Sequence, residues 1–166
     1  MMSWPVCAIL LSQALTAAGP GSGRSVASEP RLGTWELNLA KSSFSPGPAP
    51  RRQTLTFLAA GPQWVVLLQG IDGAGWPISP DSSNLAINFD GRDHATPNVD
   101  FDTSAWKRLN PHVYEVFRKR GGRVVLTSVN VVSSDGKTMT ITTRGVNAAG
   151  QPVNNIRVYD KRPAGS

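Results

Sequence analysis

The chain has 166 residues, 40% of them hydrophobic and 17% charged, which fits one globular domain and excludes a disordered chain. Its 17 Lys and Arg against 11 acids give a net charge of +6, but the cations are scattered along the chain, which argues against a nucleic-acid partner. One cysteine, Cys7, and two isolated histidines, His94 and His112, exclude a disulfide framework and the paired spacing of a zinc site.

In chain order, the first feature is an uncharged, mostly apolar run of 15 residues from Trp4 to Ala18. A membrane span needs about 20 residues. The run fits the apolar part of a secretory signal, although no Lys or Arg precedes it. Small residues follow at Thr16-Ala17-Ala18-Gly19 and at Val26-Ala27-Ser28, and the second group is the favoured cleavage site. The alternative is a buried N-terminal segment. Gly19 to Pro30 is rich in Gly, Ser and Pro and reads as a flexible spacer. The expected organisation is therefore signal peptide and spacer over 1–28 and one domain over 29–166. Such a protein is secreted or periplasmic, loses Cys7 with the leader and has no later membrane span.

Beyond the spacer the apolar pattern has period two. Thr54-Leu55-Thr56-Phe57 alternates, as does Thr138-Met139-Thr140-Ile141-Thr142, which predicts strands with one buried and one wet face. Turn signals recur at Gly61-Pro62, Asp72-Gly73, Asp90-Gly91, Asn110-Pro111, Gly121-Gly122, Asp135-Gly136 and Ala149-Gly150. Strands are predicted near 32–38, 51–59, 63–71, 82–89, 103–109, 113–120, 123–133, 138–144 and 153–160. Short connections between consecutive strands make a meander, and a meander this long tends to close on itself. The expected fold is all-β: an antiparallel up-and-down barrel of eight to nine strands, with a β-sandwich as the alternative. The exception to the short turns is Leu39 to Pro50. Its alternating prolines (Pro46, Pro48, Pro50) exclude helix and predict an extended strap across one barrel end.

Few side chains offer chemistry. Arg157 and Tyr159 lie two apart on one strand and share a face. If that face lines a cavity, they can grip a carboxylate; if it is wet, Ile156 and Val158 fill the core instead. Trp64, Trp76 and Trp106 pack in the core or rim, or stack on a ligand. Tyr114 and Phe117 fall on opposite faces. Arg118, Lys119, Arg120 and Arg123 flank the Gly121-Gly122 tip, either as a solvated turn or as a weak contact for an anionic surface. Asp90, Asp93, Asp100 and Asp102 are too sparse for a calcium loop. There is no nucleophile elbow and no phosphate-binding Gly loop. Catalytic residues, cofactor and metal are accordingly expected to be absent.

Three segments carry a family resemblance: Gly33-Thr34-Trp35-Glu36-Leu37-Asn38, Val132 to Thr140 around Asp135-Gly136-Lys137, and Ile156-Arg157-Val158-Tyr159-Asp160-Lys161. Over residues 31 to 162 the chain resembles the calycin group, the lipocalins and fatty-acid-binding proteins, and more closely a set of small exported lipocalin-like bacterial proteins. The resemblance implies that Trp35 plugs one end of the barrel and that Arg157 and Tyr159 hold a ligand carboxylate. The fatty-acid-binding branch carries a helix-turn-helix where this chain has its Pro-rich strap, so the likeness stops short of that lid. The function implied is non-enzymatic binding of a small apolar or amphipathic ligand, with Trp64 and Trp106 as further candidate contacts. The alternative is a solid-core barrel acting through its surface in the envelope. A cavity of about 300 Å³ or more separates the two.

Overall fold

A computed structural model describes residues 29–78, 85–96 and 98–163. The predicted leader, with Cys7, lies outside these residues. The chain forms β1 (Gly33–Leu37), β2 (Arg52–Ala60), β3 (Gln63–Ile71), β4 (Leu85–Ile87), β5 (His94–Ala95), β6 (Thr103–Asn110), β7 (Val113–Arg120), β8 (Arg123–Val132), β9 (Thr138–Val146) and β10 (Pro152–Lys161). Among the described residues the only helix is a single 3₁₀ turn, Leu39–Lys41. The β3 and β7 bounds match those predicted from the sequence. The two-residue β5 was not foreseen, because two residues carry no periodicity.

All ten strands form one antiparallel sheet in the order β4-β3-β2-β1-β10-β9-β8-β7-β6-β5. Every pairing joins sequence neighbours except β1 with β10, which brings the first strand beside the last. The sheet curls into a half-barrel whose two edges are β4 and β5. Both edges are very short, which leaves little unpaired backbone for another chain to join. In place of a ladder, the connection between these strands folds inward. Phe89 packs edge-on against Trp64 at 4.9 Å and against Tyr114 at 5.5 Å, and the Gly91 N–H donates to the Trp106 carbonyl.

Alternation decides what faces in. Gln53, Leu55 and Phe57 on β2, Tyr114 and Val116 on β7, and Met139, Ile141 and Thr143 on β9 are buried. Thr54, Thr56 and Thr140 on the opposite face are only partly buried. Each large apolar side chain removed from water contributes about 1.5–3 kcal/mol, so the inward rows of these strands fix the register. A one-residue slip would expose them all.

A meander places its odd-numbered turns at one end and its even-numbered turns at the other. Trp35, fully buried, lies toward the end that carries the β2–β3, β6–β7 and β8–β9 turns. Its Nε1 donates to the Arg31 carbonyl at 2.8 Å. Lys161, paired with it across β1 and β10, lays its ammonium over the indole at 5.0 Å and donates to the Pro30 carbonyl. The Pro-rich strap lies at the other end, where it pairs along β10. Ser43 exchanges both backbone hydrogen bonds with Ile156, and Asn154 N–H donates to Ser45. Farther along, Pro48 presses on Gly73, where a Cβ would come within 2.5 Å of the proline ring.

Candidate ligand-binding site

The half-barrel encloses a cavity of about 440 Å³. Leu55, Phe57, Val66, Leu68, Leu126 and Ile141 supply its apolar wall, and Pro46 of the strap, Asn98, Asp100, Asn147 and Asn155 border its mouth. The volume lies within the range of small-molecule sites, roughly 300–1,000 Å³.

Three arginines line this space: Arg31, Arg118 and Arg157. Arg157 and Tyr159 face inward from β10, whereas Ile156 is 38% exposed, so the arrangement with Ile156 in the core and Arg157 in water does not occur. Arg157 Nη2 donates to Thr143 Oγ1 at 3.3 Å, and its buried Nε has no partner. Arg118 Nη1 donates to Ser128 Oγ at 2.6 Å, and the Ser128 and Thr143 hydroxyls lie 2.8 Å apart. Two hydroxyls thus tie the two guanidinium groups together. Burial pulls the Arg118 guanidinium down to about 10, and the neighbouring charge of Arg157 pulls the same way. Arg118 therefore stays charged at neutral pH. Among the described residues neither Arg118 nor Arg157 makes an ion pair, since the five that form join other cations.

Arg31 is 1% exposed. Its guanidinium carbon stands 4.2 Å from the Phe57 ring centre, 4.7 Å from that of Tyr114 and 5.1 Å from that of Trp106. Burial lowers this group to about 9, with Tyr114 opposing the shift and Arg118 adding to it. Each cation–π contact contributes about 0.5–2 kcal/mol. Taking an ion out of water costs several kcal/mol, more when its N–H groups have no acceptor. Three contacts at the low end of that range, about 1.5 kcal/mol together, offset the cost of burial only in part.

The sequence-derived candidates separate in space. Trp106 lines the cavity, with its buried Nε1 unpartnered, while Trp64 packs behind it on Phe89 and Tyr114. Trp76 is neither core nor wall: it is 72% exposed on the loop after β3. Of the basic hairpin, Arg118 turns inward, Lys119 pairs with Asp93 at 2.8 Å, and Arg120 bonds the Val99 carbonyl. Arg120 and Arg123 remain exposed. His94 contacts Asp90 at 2.9 Å beside the seam, and His112 Nδ1 lies 3.1 Å from the Val132 carbonyl. Among the described residues no three metal-ligating side chains gather.

The fold is calycin-like. Zebrafish ileal bile acid-binding protein, solved with cholic acid, superposes with a TM-score of 0.53 at 11% identity, covering 80% of this chain and 99% of the other. No protein-family model and no curated protein matches the sequence.

Within this calycin-like barrel, sequence reasoning missed two of the three cavity arginines. Arg118 had a readable signal: it is four residues past Tyr114 and two past Val116, hence on their inward face. Its place in a run of cations concealed this. Arg31 precedes β1 in a turn, where no alternation operates. Gln53, Ser128 and Thr143 stand in step with the inward residues Leu55, Leu126 and Ile141, a signal that their polar side chains concealed.

Proposed function

We propose that this protein binds a small amphipathic anion inside its barrel, without transforming it. The observation that carries the reading is the pair Arg118 and Arg157, two guanidinium groups on a cavity wall of mixed apolar and polar side chains, neither in an ion pair with a carboxylate among the described residues. An anionic head group seated between them would neutralise part of their charge and fill the open donors of Arg157. The tail would lie along Leu55, Phe57, Val66, Leu68 and Leu126. Tyr159 holds the Gln53 end of this wall rather than reaching for the head, since its hydroxyl is already engaged. A solid-core barrel acting through its surface is disfavoured by the 440 Å³ interior. The proposal includes export, with cleavage before residue 29, and N-terminal sequencing of the mature chain tests that part separately.

The ligand proposal is tested by native mass spectrometry of the purified protein with identification of co-purified lipid, followed by titration with a fatty acid and the alcohol of equal length. Arg157→Ala should weaken the acid about tenfold or more and leave the alcohol unchanged. Equal loss of both would mean damaged packing, and no binding of either to the unaltered protein would end the proposal.

A further inference from the structure

We infer that Arg31 is a second anion anchor, separate from the Arg118–Arg157 pair, and that the ligand carries an acidic group at each end of an apolar body. The inference rests on the amphipathic-anion reading above and deepens it.

Arg31 is enclosed as fully as any side chain of the core, yet its Nε and Nη1 have no hydrogen-bond partner. The three rings around it offer negative faces but no lone pair aligned with those N–H groups. Glu29, two residues away, is committed elsewhere: it pairs with Arg108 at 2.7 Å and accepts from the Tyr114 hydroxyl. Arg118 repels Arg31 rather than satisfying it. The Ser128–Thr143 hydroxyls that join the other two arginines do not bond to it.

The position is also held stiffly. The Arg31 carbonyl accepts from Trp35 Nε1 at 2.8 Å, the Pro30 carbonyl accepts from Lys161 Nζ at 2.8 Å, and Leu32 N–H closes the turn onto Glu29. A buried, unpartnered donor set fixed to the barrel frame at the cavity wall is the arrangement expected of a preorganised anchor.

The test is calorimetric titration of the full chain with straight-chain monocarboxylates, α,ω-dicarboxylates of matched lengths, and an alkyl phosphate. One length of diacid should bind about tenfold tighter than the monoacid of that length. Arg31→Met should bring the two to parity while leaving the monoacid within about threefold. Arg31→Lys, which keeps the charge, should retain part of the preference. Equal affinity for mono- and diacids at every length overturns the inference while leaving the amphipathic-anion reading in place, and this comparison needs no variant to fold. An alkyl phosphate that binds tighter than any diacid also overturns it, in favour of one multiply charged head. If neither acid series binds the unaltered chain, both proposals fail.

Discussion

The Tyr159 hydroxyl donates to the Gln53 side-chain carbonyl at 2.5 Å, a buried bond that reaches from β10 to β2 across the inner face of β1. It spans the one place where the sheet joins the two ends of the chain. Tyr159→Phe keeps the ring and leaves the amide oxygen without its donor. The expected loss is about 1–3 kcal/mol, read as a lower urea midpoint with an unchanged slope. Adding Gln53→Leu should cost less than the two single changes summed, because the second removes the orphan the first creates.

Arg31→Met should stabilise the empty protein. The change removes a buried charge whose burial costs several kcal/mol and loses three ring contacts; with those contacts at the low end of about 0.5 kcal/mol each, the net gain is about 1–2 kcal/mol. Urea unfolding of ligand-free protein at neutral pH checks the sign. A loss of stability would mean that the aromatic cage alone satisfies the guanidinium.

Gly145 lies in β9 with φ +143°, and a Cβ there would come 2.0 Å from the Val125 carbonyl oxygen. Gly145→Ala combines that clash with a backbone angle that L residues rarely adopt. It should destabilise by about 2–4 kcal/mol or abolish soluble expression. Gly122→Ala, in open space at φ +77°, should cost only about 1 kcal/mol, so the difference between the two melting curves reports the collision together with the more extreme backbone angle of Gly145.

The seam between β4 and β5 should loosen in acid. The Arg92 backbone N–H and, next, the His94 side chain hold the Asp90 carboxyl below the usual carboxylate range. A depressed folded-state pKa means that its stabilisation is full above the unfolded value, near 4, and is lost as pH falls through the folded value. Amide exchange at residues 92–95 should therefore quicken below about pH 4 relative to the β8–β9 ladder. Asp90→Asn should flatten that dependence.

Much of the fold was legible in the residues. Met139 and Ile141 alternate with Thr138, Thr140 and Thr142, and their faces follow the pleat as alternation dictates. Asp135-Gly136 and Gly121-Gly122 make the turns their backbone freedom suits. The alternating prolines of the strap excluded helix. The site was legible only in part. Arg157 and Tyr159 shared a face on any reading, but which face was buried depended on whether Ile156 or Tyr159 met the core. Arg118 was hidden among surface cations, and Arg31 stood outside any strand.

The sequence by itself determined the strands, their turns and the meander, because pleat and hairpin act over a few neighbouring residues. The interior was decided by the closure of the sheet. Pairing β1 with β10 and folding Phe89 into the seam bring Arg31, Arg118 and Arg157 to one cavity from segments far apart in the chain. Distance between charges sets their electrostatics, and no local pattern encodes that distance before the half-barrel curls.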